Sequence, residues 1–366
     1  MITPPRLDLH TPSALTPDRY LYPAPALLFV HTMPCAVDRS LAVICYDNAL
    51  RLLTLEGTEA KLVPVANDYL PSIAGGQLST VEPSPTEHEL CYLQSRRLVL
   101  FDMVTRTHKA YRVIDDVDME QIAMAGALAS RSPAVVIAQV EDTTHYGKDG
   151  HVDARLLSCE IGPRGLVKRG TLELEQDAEK ELDWGAGRDL VVAYKNGYLE
   201  VYDALLVPQA RNPLGPALRQ LFAERRALRL QGLRFHPTRD IVVFAFLETD
   251  RQGSRTYGVF QADFGGGSVT ISPIGLAEDV GLLRLGSFSP DGQWTFFQVS
   301  EGGQTHFFVH RISAAEGELP LNLGAFPAPR SAHFARGPLS LIVMDDDLEV
   351  VCSFPLPSSP AFSRGD

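Results

Sequence analysis

The chain has 366 residues, 45% of them hydrophobic and 21% charged, a composition that can fill a large apolar core and that excludes the charge-rich profile of intrinsic disorder. With 33 basic against 45 acidic residues its formal net charge is −12. That balance argues against a surface built to neutralise phosphates, so neither nucleic acid nor an anionic membrane is expected as a partner.

At the N-terminus, Met1 to Arg6 carries neither a basic region nor an apolar one, so no secretory leader is expected. Arg6-Leu7-Asp8-Leu9-His10 alternates polar and apolar as an edge strand does, and Pro17 to Pro25 reads as a Pro-rich linker; residues 1–25 are predicted as a closing strand and linker. Short strand-like runs then begin at Leu41, Leu90, Ala134, Leu190, Ile241, Trp294 and Leu341, at intervals of 44 to 56 residues. Such a period fits four short strands with their turns. The runs are rich in Val, Ile and Phe and apolar on both faces, as a strand sandwiched between neighbouring sheets must be. A second strand follows each, as in Tyr198 to Asp203 after the turn residues Asn196-Gly197, which favour a two-residue hairpin.

Seven such repeats predict an all-β fold: a single seven-bladed propeller over residues 26–357, with 358–366 as a tail. The seventh repeat lacks an outer strand after Cys352, so Arg6 to His10 is predicted to pair onto it and close the ring. The five cysteines, Cys35, Cys45, Cys91, Cys159 and Cys352, form no C-x-x-C pair and read as buried thiols. With no run approaching the ~18 apolar residues of a membrane span, a cytoplasmic location is expected.

Four segments depart from the repeat. Glu141 to Asp153 is inserted between two strands and holds His145, Asp149, His151 and Asp153, residue types that suit zinc or another transition ion, but their spacing matches no established ligand frame and Asp149-Gly150 favours a solvated hairpin tip. Pro208 to Leu230 reads as an inserted amphipathic helix with Pro216 in its first turn and Leu218, Leu221, Phe222 and Arg225 at helical spacing. Arg211, Arg219, Arg225, Arg226 and Arg229 make this window basic on an acidic protein, which suits either an acidic or phosphate-bearing partner or a helix docked on the protein's own rim. Two acidic runs, Asp115 to Glu120 and Asp345 to Glu349, read as solvated turns, and Gly265-Gly266-Gly267-Ser268 as a hairpin turn rather than a phosphate cradle.

Phe288-Ser289-Pro290-Asp291-Gly292-Gln293-Trp294, its weaker copy Phe235 to Asp240, and the strand endings Phe101-Asp102 and Tyr202-Asp203 resemble the turn and strand signatures of WD40 and TolB-like propeller repeats. The resemblance is to a divergent member, runs from about residue 26 to 357, and implies architecture alone, since propellers host unrelated functions. Nucleophile-elbow, P-loop and H-E-x-x-H motifs do not occur. The sequence therefore points to a non-catalytic protein–protein interaction scaffold, or a subunit of a larger assembly, without a cofactor. Its expected contact residues are Arg211, Arg219, Leu221, Phe222, Arg225, Arg226 and Arg229. The alternative is a lactonase-like hydrolase or a metal-dependent enzyme whose site gathers residues such as His236, His306, His333 and Asp291 at the central channel mouth.

Overall fold

The computed structural model describes residues 5–21, 31–37, 40–44, 50–64, 82–83, 89–94, 97–102, 105, 107–112, 124–125, 135–142, 153–162, 165–173, 182–185, 190–195, 198–214, 227–249, 255–266, 268–315, 317–327, 330–335, 339–345 and 351–357. Every element whose bounds are described is a strand. A short strand β1 (Asp18–Tyr20) precedes the first sheet, which comprises β2 (His31–Val37), β3 (Ser40–Ile44), β4 (Leu50–Glu56) and β5 (Glu59–Pro64). The second holds β6 (Glu82–Pro83), β7 (Glu89–Gln94), β8 (Arg97–Asp102) and β9 (Thr107–Arg112), and the third β10 (Met124–Ala125), β11 (Val135–Asp142), β12 (Asp153–Gly162) and β13 (Gly165–Glu173). The fourth has β14 (Leu182–Gly185), β15 (Leu190–Lys195), β16 (Tyr198–Asp203) and β17 (Pro208–Pro213); the fifth has β18 (Ala227–Phe235), β19 (Ile241–Thr249), β20 (Arg255–Asp263) and β21 (Thr270–Glu278). The sixth consists of β22 (Leu282–Phe288), β23 (Trp294–Glu301), β24 (Gln304–Arg311) and β25 (Leu321–Pro327). In the seventh, β26 (Arg330–Ala335), β27 (Ser340–Asp345) and β28 (Val351–Pro355) are joined by β1, which lies outermost against β28.

All seven are antiparallel, six of them as meanders of consecutive strands and the seventh as a three-stranded meander completed by β1, and first strands of the sheets meet: β2 touches β6 and β26, β14 touches β18, and β22 touches both β18 and β26. Between the sheets lies the core. The β19 run explains the sequence pattern: Val242, Phe244 and Phe246 face the fourth sheet, whereas Ile241, Val243 and Ala245 face the sixth, so both faces of the strand are buried. Phe244 stacks on Phe260 at 5.6 Å and Phe297 on Phe308 at 5.2 Å, filling the space between sheets with aromatic area. Further apolar clusters join sheets six and seven, around Phe296 and Phe334, and sheets seven and one, around Leu53 and Met344.

The Phe288 to Trp294 signature forms the expected turn between β22 and β23. Gly292 N–H donates to the Ser289 carbonyl (2.8 Å), Ser289 Oγ donates to Asp291 Oδ1 and accepts from Trp294 N–H (2.9 Å), and Gly292 takes φ +70°. Only glycine fits there, because a Cβ would also meet the His236 ring at 2.6 Å.

The N-terminal segment departs from expectation. Arg6 to His10 does not pair with the seventh sheet; instead Leu7 N–H donates to the Leu276 carbonyl and Leu276 N–H to the Pro5 carbonyl (both 2.8 Å), adding a parallel bridge to the outer edge of β21. The reason is the alternation itself, since Leu7 and Leu9 pack into the cluster between sheets five and six. The strand on β28 is Asp18–Tyr20, within the stretch read as a linker. Between them Ser13 N–H donates to the Asn322 carbonyl on β25, and beyond β1 Leu21 bridges to Glu59 on β5. Residues 5–21 thus form a strap over the outer edges of sheets five, six, seven and one.

Candidate functional site

The fourth sheet carries the first of the singled-out residues. Arg211 lies on β17, not on a helix, and Arg229 lies on β18, where it pairs with Leu247. The helical reading of Pro208 to Leu230 therefore fails at both ends. At the front, Pro208 and Pro213 bound an outermost strand, a position that tolerates residues lacking an N–H. At the back, the alternation leading to Leu233 and Phe235 makes the segment the first strand of the next sheet, where it meets β14 and β22. Arg219, Leu221, Phe222, Arg225 and Arg226 lie outside the described residues, as do His145, Asp149 and His151 of the proposed metal set. Asp153 opens β12 opposite Asp142. Among the described residues no group of three or more His, Cys, Asp or Glu side chains is arranged to hold a metal ion.

Each histidine named for the channel mouth has a local explanation. His236 Nδ1 accepts from the Thr238 and Arg239 N–H groups (3.1 and 3.0 Å), which leaves Nε2–H to donate to the Gly292 carbonyl at 2.9 Å. One imidazole thereby ties the turn of the fifth sheet to that of the sixth. His306, buried on β24, faces the strap at the Leu9 carbonyl and stands 3.9 Å from Glu301, and burial pulls its pKa below the ordinary value. His333, on β26, is held neutral by burial with its pKa lowered to about 4. Asp291 Oδ1 accepts from both Ser289 Oγ and Gln293 N–H. Arg234, Ser287 and His333 each precede the last phenylalanine of their strand, and Phe235, Phe288 and Phe334 pair with the second residue of the next strand, although Ser287 itself lies in a register shift of β22. Arg234 Nε donates across to the Gly286 carbonyl (3.2 Å), so this guanidinium bridges two sheets.

Arg211 belongs to a polar ladder. Tyr198, Glu200 and Tyr202 alternate along β16 and share one face, while Leu199 and Val201 bury into the core on the other. Arg211, paired opposite Glu200, sets Nε 3.2 Å from Glu200 Oε1 and lays its guanidinium 3.9 Å over the Tyr198 ring. Tyr202 donates its hydroxyl to Glu200 Oε2, and burial together with that carboxylate pushes its pKa well up. The phenol stays protonated.

The ladder ends in a turn that the sequence reading overlooked. Leu206 N–H donates to the Asp203 carbonyl (2.9 Å), and Asp203 Oδ1 accepts from the Leu205 and Val207 N–H groups at 2.8 and 3.0 Å. Leu206 takes φ +62°, a conformation that normally calls for glycine and costs a larger residue about 1–2 kcal/mol. Its side chain is buried, which offsets that strain by a similar or larger amount. On either side, Leu205 and Val207 are 37% and 50% exposed. The turn rests on the third sheet: Ser158 Oγ donates to the Ala204 carbonyl, and a Cβ on Gly170 would lie 2.0 Å from the Leu205 oxygen. Val167, 44% exposed, stands on the same strand as Gly170. The available signal was the apolar run Ala204 to Val207 directly after an aspartate, where a surface turn carries polar residues or glycine.

The sequence matches no family model and no curated protein. Solved structures are similar to it at great sequence distance. The AfRom2 CNH domain is 12% identical, with a TM-score of 0.50 over 91% of this chain and 98% of that one. The β-propeller domain of Myceliophteria thermophila Cps50 (Swd1) is 10% identical, covering 90% of this chain and all of that one with a TM-score of 0.48. The WD40 domain of SCAP from fission yeast is 9% identical over 94% and 98%, with a TM-score of 0.41. Among the described residues the chain is built of antiparallel four-stranded sheets, and its fold is similar to that of the AfRom2 CNH domain.

Proposed function

We propose that the seven sheets are the blades of one propeller, closed by β1 on β28, and that it works as a non-catalytic interaction scaffold or a subunit of a larger assembly. The observation that carries this reading is the uneven cover of its rim. The strap occupies the outer edges of sheets five, six, seven and one, whereas among the described residues nothing pairs with the outer edges of β13 and β17. An open edge flanked by exposed aliphatic and basic side chains is a place for another chain to dock. Arg211, on β17, is the member of the basic window that lies on this edge strand. A reducing cytoplasm belongs to the same proposal, in keeping with Cys159 and Cys352 as buried thiols; burial raises the Cys159 pKa to about 11.

The test is affinity capture of the full chain from its native cell extract beside an Arg219→Glu/Arg225→Glu/Arg226→Glu/Arg229→Glu variant. A stoichiometric partner held by the native chain and lost from the variant supports the scaffold. Retention of no partner by either form would count against it, and would favour the enzyme alternative with His236, His306, His333 and Asp291 as its candidate residues; hydrolase and metal assays are then the next measurement.

A further inference from the structure

Where the strap crosses sheet six it lies on a buried histidine. On β24 His306 pairs with Val299, and Val299 and Phe308 belong to the apolar cluster between sheets five and six that also receives Leu7 and Leu9. By strand alternation His306 faces the same gap as Phe308, beneath the strap, and it is buried there. The strap is fixed at this point by its own turn and by β25. Asp8 Oδ1 accepts from the His10 and Thr11 N–H groups (2.9 and 3.0 Å), and the Asp8 carbonyl accepts from Asn322 Nδ2 at 2.8 Å. Ser13 N–H donates to the Asn322 carbonyl at 2.6 Å. The Leu9 carbonyl is thereby held against the imidazole. Among the described residues Nδ1 of the same ring is buried without a hydrogen-bond partner. The polar contacts of the ring thus fall on Nε2, which faces Leu9 and stands 3.9 Å from Glu301 Oε2.

A neutral ring suits this place, because Nε2–H donates to the carbonyl and Nδ1 carries only a lone pair. Protonation puts a second N–H at Nδ1, where nothing accepts it, so the charged ring is better accommodated with the strap lifted. We propose that His306 is an acid-operated latch: neutral, it holds the Leu9 segment down; protonated, it releases residues 5–15 and bares the Leu276 N–H and carbonyl on the edge of β21 and Asn322 on β25. The groups around the ring set the sign. Glu301, on β23, attracts the charged form, but its side chain is 40% exposed and screened by water, while His10, on the strap, opposes it. Asp8 is committed to the strap's turn, and β25 sets Ala325 opposite His306. From sheet five, the Tyr257 hydroxyl donates to the Gly281 carbonyl and Glu278 is paired with Arg6. Burial outweighs Glu301, so the latched ring has a pKa below the ordinary 6.5, to which a freed ring returns. Closure is therefore full above about pH 6.5 and weakens as pH falls, by at most about tenfold between pH 7.5 and 5.5 for one proton.

Hydrogen exchange of the full chain, read by mass spectrometry and corrected for intrinsic rates, tests the latch over that range. A His310→Asn/His333→Asn background removes the two buried histidines whose charge would loosen the sheets themselves. In it the opening of residues 5–15 and of β21 should rise up to about tenfold towards pH 5.5 while β15 and β16 stay protected. Adding His306→Gln, whose amide keeps a donor for Leu9 and takes up no proton, should make that opening independent of pH. Opening that does not change with pH in the background chain, that rises equally with His306→Gln, or that spreads equally to β15 and β16 would overturn the proposal. If His306→Gln leaves the strap open at every pH, the titration of the 13C-labelled imidazole decides: a His306 pKa below 6.5 supports the latch, and one at or above 6.5 overturns it.

Discussion

The two sides of the rim solve one problem differently. Every outermost strand presents unpaired backbone donors and acceptors, and sheets five, six, seven and one receive the strap: Leu7 on β21, Ser13 on β25, Asp18–Tyr20 on β28 and Leu21 beside β5. Sheets three and four end instead in β13 and β17, with charged and proline-bounded outer strands. Covered edges depend on a distant segment for stability, whereas open edges must carry their own protection against aggregation. The difference puts the strap's stabilising contacts on sheets five, six, seven and one, and leaves the edges of sheets three and four to the proposed contact with other molecules.

Removing residues 1–21 should produce the largest effect. Leu7 and Leu9 leave their cluster, and six backbone or amide hydrogen bonds are lost in addition to the β1–β28 pairing, a cost on the order of 5–10 kcal/mol. Calorimetry and size exclusion should show a much lower melting temperature and self-association through the bared edges; an unchanged melting temperature would break the comparison.

Acid should loosen the covered side. His310 and His333, in sheets six and seven, have folded pKa values lowered by burial to about 4, below the ordinary 6.5. The unfolded chain therefore takes up more protons in this range, so stability is full above about pH 6.5 and declines as pH falls towards 4. Hydrogen exchange at pH 5 should show protection falling in β24 and β26 before β15 and β16, and a His310→Asn/His333→Asn chain should have a flatter profile.

On the open side, Leu206 offers an inverted ranking. Leu206→Ala keeps the strain and loses the burial, costing about 2–3 kcal/mol, whereas Leu206→Gly relieves the strain and should cost about 1 kcal/mol. Denaturant unfolding that ranks alanine above glycine would contradict the strained-turn account. The smallest change is expected from Val167→Lys and Val207→Lys, within about 0.5 kcal/mol of native stability, because neither side chain is needed to hold its strand.

The repeat was readable because burial on both faces leaves a strong trace: Ile241 to Phe246 is apolar throughout, and it is a strand with a core on either side. The Ser289 to Gly292 turn was readable because its residue types are dictated by hydrogen bonds within the turn. Which edge the N-terminus would cover was not. Arg6 to His10 and Asp18–Tyr20 are both short polar segments, and the choice between β21 and β28 is made by Leu7 and Leu9 finding a gap between two sheets, a tertiary fact with no local signature. Arg211 was singled out for its charge, but its partners Glu200 and Tyr198 follow only once β16 and β17 are known to be paired strands. The apolar window around Leu218 to Leu230 shows helical spacing at its start and strand alternation at its end, and the competition with the fifth sheet decided the latter.

The strap also has a place in time. Residues 5–21 leave the ribosome well before the strands they pair with: Asn322 donates its amide to the Asp8 carbonyl across 314 positions of sequence, and Asp18 waits for Ser353. Until residues 276–353 have been made, the strap can bind only at β5, through Leu21, and the seventh sheet lacks its fourth strand. Closure is therefore a late step, slow for its loop length and sensitive to whatever is fused at the N-terminus. An affinity tag placed at residue 1 would compete with that step, and one placed after residue 366 would not.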